Sequence, residues 1–386
     1  MPLFIFLSSF CQRRDFGALN ASVSPDKKWL PSMNTANTVS DQTFPQRLIA
    51  HFPYNYFALV MATGIVSIGC DTAGFHAIAK IMLYLNSVHY VVCLVLAVAK
   101  LVTLPGAVWE DLIHSDKGPG YLTMVAGTSV LGVQYNTLTT LSGVPLMLMF
   151  VSIALYLVVI FSMIAGIAMS KDKCSPAQGL DGLWLLCTVS GCSIVVLGMS
   201  LRGPAPQLQM LFLTALWSAS IMLYFIIIPL IFFKWLFSSV NRKDFSPSWW
   251  INMGALAIAS LAGVRVLDNN HHDLFLAVTP SIITITFFLW AAAMWWLLLL
   301  LTILVWRTVT RSLDLRYSPG NWSIVFPSGM FAVTTINVMR YLEVPLPGGF
   351  IQFMMAGILL LWLSFYLWML SSFWRDARVS DANKSA

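Results

Sequence analysis

Apolar residues run through this chain in long stretches separated by short polar ones, and two kinds of stretch alternate. One kind opens on an aromatic residue and is rich in Gly, Ala, Ser and Thr, whereas the other is dominated by Leu, Ile, Phe and Trp. A transmembrane helix needs about 20 apolar residues, because the hydrocarbon core of a bilayer is about 30 Å thick. The pattern therefore predicts ten membrane-spanning helices, at about 54–73, 79–99, 121–141, 144–169, 182–201, 206–236, 249–267, 275–306, 321–342 and 348–374.

The small-residue helices recur at a regular interval along the chain. They start near Phe57, Tyr121, Trp184, Trp250 and Trp322, at steps of 64, 63, 66 and 72 residues. A repeated helical hairpin indicates one structural unit that is arrayed several times. Small residues let helices approach closely, and bulky ones suit contact with lipid, although small residues can also serve packing alone. We predict an all-α polytopic membrane protein, with five helical hairpins in a quasi-five-fold arrangement around a central pore.

The charges of the chain are few and unevenly placed. Only 10% of the residues are charged, against about 25% in a typical soluble domain. Of the 22 Lys and Arg residues, 18 fall in the tails and in the loops after even-numbered helices, and four follow odd-numbered helices: Lys80, Arg202, Arg265 and Arg340. By the positive-inside rule, this predicts a multi-pass protein of the plasma (inner) membrane with both termini in the cytosol. The net charge of +6 then reflects topology in a lipid bilayer, and we expect no nucleic-acid partner.

The two ends of the chain differ from its middle. Residues 16–43 are rich in Ser, Asn, Thr and Asp and have no apolar period, which is typical of disorder. We predict a disordered cytosolic tail over 1–50, a ten-helix transport domain over 51–375 and a short cytosolic tail over 376–386. The apolar first residues lack a convincing cleavage site, so we predict no signal peptide.

Motifs for catalysis, nucleotide binding or metal binding do not stand out in this sequence. It contains no HExxH, GxSxG, Walker loop or dinucleotide fingerprint, and we therefore predict no enzyme activity and no cofactor. His271 and His272 are adjacent and precede Asp273, but adjacent His side chains face one metal ion less readily than an i, i+4 pair, so we predict no metal site. The cysteines form no CxxC pair and are interpreted as small apolar side chains, at 11, 70, 93, 174, 187 and 192.

Glycine recurs about seven residues into the small-residue helices, where it permits a bend. The ninth helix adds Pro327, whose ring removes a backbone hydrogen bond and favours a kink. Phe326 precedes this kink, and its counterparts in the repeat are Met61, Val125, Thr188 and Gly254. The ring of Phe326 is either a plug in a narrow path or an ordinary packed side chain. The predicted bend positions are Gly64, Gly127, Gly191, Gly254, Pro327 and Gly329.

Neutral hydroxyl groups are the main polar groups of the small-residue helices, whose central stretches carry no carboxylate. Hydroxyls donate hydrogen bonds to an anion, and weak binding suits conduction because a solute must also leave. The absence of carboxylates weakens a cation or proton pathway. The candidate pore-lining hydroxyls are Thr63, Ser67, Thr128, Ser129, Thr188, Ser190, Ser193, Ser260, Ser328, Thr334 and Thr335.

Three cations lie at similar depth near the outer ends of the fifth, seventh and ninth helices: Arg202, Arg265 and Arg340. Together they would form a positive vestibule that concentrates anions. The alternatives are local neutralisation by Asp268, Asp273 or Glu343, and snorkelling of the side chains to lipid headgroups.

The first predicted helix, YFALVMATGIVSIG, is similar to the opening signature of the tellurite-resistance/dicarboxylate transporter family, which includes the plant slow-type anion channels. YLTMVAGTSVLG in the third helix and WSIVFPSGMFAVTT in the ninth resemble the matching segments of that family. The resemblance extends over roughly 51–375 and implies five hairpins about a central pore, and a homotrimer. It also implies transport of small anions, such as chloride, nitrate, malate or sulfite, and places the pore-occluding aromatic of the channel branch at Phe326.

These observations favour a channel-like or facilitative path for small anions, inorganic or C4-dicarboxylate, through each protomer, with Phe326 as the gate. The alternative is a proton-coupled C4-dicarboxylate carrier, for which Asp71, His89 and Glu343 are the few titratable candidates. A membrane-embedded enzyme would need converging His, Asp or Glu side chains, and a sensory subunit would need a substantial soluble domain. Neither is visible in the sequence, and tellurite resistance need not be the physiological role.

Overall fold

The computed structural model describes residues 48–171, 179–203, 205–237, 246–269, 276–310 and 317–385, with side chains to residue 375. Within these ranges the regular structure is helical throughout, without a strand. Most of the predicted N-terminal tail, Cys11, Cys174 and the segment 271–273 lie outside the described residues. The last helix continues through most of the predicted C-terminal tail, to Ser385.

Ten long helices account for most of the described chain. We number them α1 Phe57–Thr72, α2 His76–Thr103, α3 Leu122–Leu138, α4 Gly143–Met169, α5 Leu186–Ser200, α6 Gln207–Phe237, α7 Ile251–Asp268, α8 Thr279–Val309, α9 Trp322–Tyr341 and α10 Phe350–Ser385. A short helix, Pro105–Leu112, lies between α2 and α3. Among the described residues, eight helices are long and apolar enough to cross a membrane, and α1 and α3 are outside that set. The chain is therefore an all-helical multi-pass membrane protein, while the number of ten spans stays a prediction.

The odd-numbered helices, here called the inner helices, are buried, and the even-numbered outer helices are exposed. In the most apolar windows of α5, α7 and α9, 72–89% of the residues are buried, against 17–39% in the outer helices. The exposed side chains of the outer helices are largely Leu, Ile, Val, Phe and Trp, which suit contact with lipid. The predicted difference between small-residue helices and bulky apolar helices thus corresponds to a difference in burial.

The inner helices contact one another in a closed sequence. α1 packs against α3, α3 against α5, α5 against α7, α7 against α9, and α9 against α1. Each outer helix packs against the inner helix before it and also touches the next inner helix, with α10 touching α1. An outer helix thus covers each contact between two inner helices.

Each inner helix is preceded by a 3₁₀ turn, and we call these five segments the leading turns. Consecutive leading turns contact each other, and the fifth contacts the first, so this end of the inner helices is drawn together. Pro119, Pro247 and Pro319 stand at the start of three of them, where a missing N–H costs nothing. The leading turns are Tyr54–Tyr56, Gly118–Tyr121, Gly182–Leu185, Pro247–Trp250 and Pro319–Asn321.

The glycines predicted to permit bends are places where neighbouring helices approach closely. A Cβ atom on Gly191 would lie 2.1 Å from Oγ of Ser220 on α6, and one on Gly254 would lie 2.9 Å from Cβ of Pro327 on α9. α9 remains helical through Pro327. Side chains at these glycines would push helices apart, so their visible role is packing, and bending of the inner helices stays a prediction. The other three, with the nearest atom a Cβ would meet, are Gly64 (Val130 Cγ1, 2.6 Å), Gly127 (Phe57 O, 3.3 Å) and Gly329 (Ile65 Cγ2, 3.0 Å).

Candidate functional site

A cavity of about 500 Å³ lies toward the C-terminal ends of the inner helices. All five inner helices line it, and none of the described residues of the outer helices does. We call it the central cavity. The main lining positions of each inner helix are spaced i, i+3 and i+7, as in Ile65, Ile68 and Thr72 of α1. This spacing places them on one helix face, so each inner helix turns one face toward a shared space.

The spacing groups these lining residues into three levels. The deep level is mainly apolar and consists of Ile65, Val130, Ser193, Ile258 and Met330. The middle level is wholly apolar and consists of Ile68, Val133, Val196, Leu261 and Val333. The mouth level is polar and consists of Thr72, Thr137, Ser200, Arg265 and Asn337. Further polar residues line the cavity near the helix ends: Asp71, Asn136, Asp268, Asn269 and Arg340. The cavity is therefore polar and charged at its mouth and apolar below.

Arg265 is held at the mouth of the central cavity by partners on two helices. Its Nη2 donates to Oδ1 of Asn337 on α9 at 3.1 Å, and its Nη1 lies 3.1 Å from Oδ2 of Asp268. Its Nε is buried and has no hydrogen-bond partner within the described ranges. Arg265 thus forms the ion pair with Asp268 that the sequence offered as an alternative, and its guanidinium keeps one N–H donor without a partner among the described residues.

The other two predicted cations differ from each other. Arg340 lines the central cavity and is exposed, and its side chain makes no hydrogen bond or ion pair with another described residue. Arg202 is outside the cavity lining, because its guanidinium donates to the carbonyl oxygens of Asn136 and Thr139 at the end of α3. The structure thus brings together two of the three cations, and Arg202 stabilises a helix end.

Most of the predicted pore-lining hydroxyls face other helices, and among them only Ser193 lines the central cavity. In the absence of water, a hydroxyl on a buried helix bonds a carbonyl group within reach. Four donate to carbonyl groups of neighbouring helices: Thr188 to Ser220, Ser190 to Leu122, Ser260 to Thr286 and Thr334 to Ala257.

Apart from Ser193, the remaining hydroxyls are also placed away from the cavity. Ser67 donates to Ala79 of α2, and Thr63 accepts from Nε1 of Trp362 on α10 at 3.1 Å. Within their own helices, four of the predicted hydroxyls donate to the carbonyl four residues earlier: Thr128, Ser193, Ser328 and Thr335. Oγ of Ser129 is buried without a partner in the described part of the chain. Most of the hydroxyls predicted from the sequence therefore lie on helix faces turned away from the central cavity, and their pore-lining role stays a prediction. The cavity hydroxyls that were not predicted from the sequence are Thr72, Thr137 and Ser200.

Phe326 lies one helical turn below the deep level, four residues before Met330, and is 3% exposed. The register of the cavity levels gives it the counterparts Met61, Ala126, Val189 and Gly254. Two of the sequence-based counterparts, Val125 and Thr188, were therefore one residue out of register. Phe326 is the largest residue of this set, and it lies directly below the deep and middle levels of the central cavity, which are mainly apolar. The geometry is compatible with the predicted gate, whose function stays a prediction.

The three titratable candidates for a coupled carrier are dispersed. Asp71 lines the central cavity, and its Oδ1 lies 2.7 Å from Nδ1 of His76. His89 is on α2 and faces α10, where its Nε2 lies 3.2 Å from the hydroxyl oxygen of Tyr366. Glu343 follows the end of α9 and has a positive φ of 56°. Neither His89 nor Glu343 lines the central cavity. Among the described residues, no group of three His, Cys, Asp or Glu is arranged to hold a metal ion.

The fold defines a class of protein, the all-helical multi-pass membrane protein, here with a cavity between its inner helices. Comparison with known proteins identifies the family. Residues 51–371 match the model of the voltage-dependent anion channel (SLAC1) family, and the chain belongs to this family. The similarity noted from the helix motifs is thereby confirmed.

The curated relatives are distant and carry general names. An uncharacterized transporter of Methanocaldococcus jannaschii is 22% identical over 339 residues, which cover 84% of this chain and 94% of the relative. A second uncharacterized transporter of that organism is 22% identical over 335 residues, covering 84% and 92%. An uncharacterized membrane protein of Mycobacterium tuberculosis is 27% identical over 111 residues, covering 29% and 56%. The family and these names belong to channels, transporters and membrane proteins, not to enzymes.

Proposed function

We propose that this protein moves small anions across the membrane through a pore between its own five inner helices. One observation carries the proposal: the central cavity is lined by every inner helix, and cations stand at its mouth. The closed sequence of contacts among the inner helices supports a quasi-five-fold arrangement around this path. Membership of the anion channel family supports a negatively charged solute.

The cavity levels suggest how an anion would pass. Arg265 and Arg340 would raise the local concentration of anions at the mouth, and the mouth-level hydroxyl and amide groups would replace part of the hydration shell. Below them the anion would meet two mainly apolar levels, which hold it weakly and allow it to leave. Phe326 would close the path beneath these levels and open it by moving its ring.

We extend the proposal to the substrate and the setting. The transported solutes are small inorganic anions or C4-dicarboxylates such as malate, and transport is channel-like or facilitative. The protein spans the plasma (inner) membrane with ten helices, keeps both termini in the cytosol and assembles as a homotrimer in which each protomer has its own pore. The excess of Lys and Arg on one side supports this topology, and the family resemblance supports the trimer.

A proton-coupled dicarboxylate carrier is the second candidate, and one observation favours it. Asp71 is a carboxylate in the central cavity, paired with an exposed His76. A carboxylate that exchanges protons at the mouth would link anion movement to pH. A channel needs only the anion gradient and the membrane potential, whereas the coupled carrier also needs a proton gradient.

Uptake into liposomes separates the candidates. Purified protein in liposomes with a clamped membrane potential would be supplied with chloride, nitrate or malate, with and without a pH gradient, beside protein-free liposomes. The proposal expects uptake that follows the anion gradient and potential alone. Uptake that requires an inward proton gradient, and is lost in Asp71→Asn, would establish the carrier instead.

A further inference from the structure

A second cavity, of about 350 Å³, lies at the opposite end of the inner helices, beside the leading turns. Residues of three leading turns line it, including Asn55, Gly120 and Leu183. Lys100 from the end of α2 and Lys117 from the loop before α3 complete the wall. We call it the turn-side cavity. Its wall includes leading-turn residues at the ends of inner helices and two cations, Lys100 and Lys117. Neither cation was among the predicted site residues.

Lys100 is a buried cation with few acceptors. The residue is 6% exposed, and its Nζ donates to the carbonyl oxygen of Phe52 at 3.0 Å. Its contact to Oδ2 of Asp111 is longer, at 3.4 Å, and the ammonium lies 5.8 Å from the ring centroid of Tyr54. An ammonium group has three N–H donors, and a buried charge is costly unless it is well paired. Lys100 therefore has unused capacity for an anionic partner.

Asp111 is shared between two ammonium groups. Its Oδ1 lies 2.8 Å from Nζ of Lys117, and this hydrogen bond raises the pKa of Lys117, which keeps its charge. The other carboxylate of the lining, Asp116, is half exposed and contacts His114. Solvent weakens the field of an exposed group more than that of a buried one. Lys117 is exposed to a similar extent as Asp116, so the fields of these two groups are both weakened, and at the buried wall Lys100 faces the carboxylate of Asp111 at 3.4 Å.

We propose that the turn-side cavity is a second anion-binding site, in which Lys100 and Lys117 hold a small anion at the end of the pathway opposite the central cavity. This inference rests on the proposed function and deepens it. The volume suits an ion of the size of chloride, nitrate or a short carboxylate together with several waters, each of which takes about 30 Å³. Asp111 keeps the two ammonium groups in place and competes with the anion, so that binding stays weak enough for release.

Sided transport measurements test the site. In planar bilayers with protein inserted in one orientation, the anion concentration is varied on one side at a time, and the half-saturating concentration is measured for each side. Lys100→Met removes the charge and keeps the apolar stem. We expect it to raise the half-saturating concentration on the leading-turn side about tenfold, the loss typical of one charge-assisted hydrogen bond, and to leave the opposite side unchanged. The matched control is Lys171→Gln, which removes an exposed cation after an outer helix on the same side and is expected to change neither.

A second variant guards against loss of folding in Lys100→Met. Asp111→Asn removes the competing carboxylate, and we expect it to lower the half-saturating concentration on the leading-turn side, whereas a purely structural role of Asp111 gives no gain in affinity. Equal effects on both sides, or no effect of either variant, would overturn the site. In that case anion current in the wild type would leave the proposed function intact, while absence of anion current would overturn both.

An anionic lipid headgroup is the other possible source of the same chemistry. The measurement is therefore made in bilayers of purely zwitterionic lipid and repeated with anionic lipid added. A sided effect in both compositions supports a soluble anion. A sided effect that occurs only with anionic lipid would overturn the proposal in favour of a headgroup site.

Discussion

Arg265 on α7 and Asn337 on α9 join two neighbouring inner helices across the mouth of the central cavity, with Nη2 3.1 Å from Oδ1. The same guanidinium contacts the carboxylate of Asp268, one helical turn further along α7, through Nη1. Two of its three nitrogen atoms are therefore engaged, one by a neutral amide and one by an internal anion. An anion that arrives from outside has to compete with Asp268 for this cation.

Asp268→Asn should increase anion affinity at the mouth of the central cavity. Removing the internal competitor frees Nη1 of Arg265, and an exposed pair of this kind is worth about 0.2–1 kcal/mol, so we expect a gain of up to about fivefold. The measurement is the half-saturating anion concentration on the cavity side. Asp71→Asn is the matched control, because it changes the charge of the same cavity equally but removes a partner of His76. Equal gains from both variants would show a general field effect and contradict competition for Arg265.

Arg340→Gln should reduce anion flux, and more strongly at low ionic strength. Arg340 is exposed in the central cavity without a described partner, so it acts through its field, whose range shrinks from about 30 Å at 0.01 M salt to about 10 Å at 0.1 M. Flux is compared at these two ionic strengths, adjusted with an impermeant electrolyte. Arg202→Gln serves as the control, since its guanidinium bonds the end of α3 outside the cavity lining. A reduction by Arg340→Gln that is the same at both ionic strengths would argue against attraction at a distance.

Phe326→Ala should raise anion flux, because it removes the largest side chain of the level below the central cavity. Lowering the barrier by about 1.4 kcal/mol would give a tenfold increase, and we expect a change of about that order. Phe331→Ala is the control on the same helix: this side chain is half-buried against the cluster of Val264, Trp290 and Val338, and it is outside the cavity lining. If Phe326→Ala folds normally and its flux equals that of the wild type, Phe326 is not the gate.

Gly191→Ala should destabilise the fold without touching the central cavity. The added Cβ would lie 2.1 Å from Oγ of Ser220, and overpacking of this kind costs about 1–3 kcal/mol. Thermal unfolding of the purified protein in detergent measures the effect. At Gly357 on α10 a Cβ would meet no atom within 4 Å, so Gly357→Ala should be neutral or slightly stabilising. Equal melting temperatures for the two variants would contradict the close approach of α5 and α6.

The helices and their two kinds could be predicted from the sequence because composition follows environment. Bulky apolar stretches mark helices exposed to lipid, and small-residue stretches mark helices packed on several sides. The contrast between the exposed α6 and the buried α7 is an example. The starting aromatics gave the repeat interval to within a residue. They did not give the register, since the aromatics stand at different positions around the leading turns: Trp184 lies inside its turn, whereas Trp322 directly follows its turn.

The cavity face was harder to predict for a physical reason. On a helix that is buried all round, the hydrophobic pattern has no polar side to follow, and hydroxyls such as Thr188 and Ser260 find carbonyl partners on neighbouring helices. A usable signal was present in the mouth level. Thr72, Thr137 and Ser200 recur at steps of 65 and 63 residues and continue to Arg265 and Asn337 at 65 and 72, so polar residues repeated at the hairpin interval mark the shared face.

The current through a planar bilayer shows whether the inner helices form an anion pore. Purified wild type and Phe326→Ala are placed in bilayers with gradients of chloride, nitrate or malate, with and without a pH gradient, and the reversal potential is measured. For an anion pore gated by Phe326, we expect a reversal potential that follows the anion gradient and does not depend on the pH gradient, with the larger current in Phe326→Ala. Absence of current in both proteins, together with malate uptake into liposomes that follows the pH gradient, would contradict such a pore.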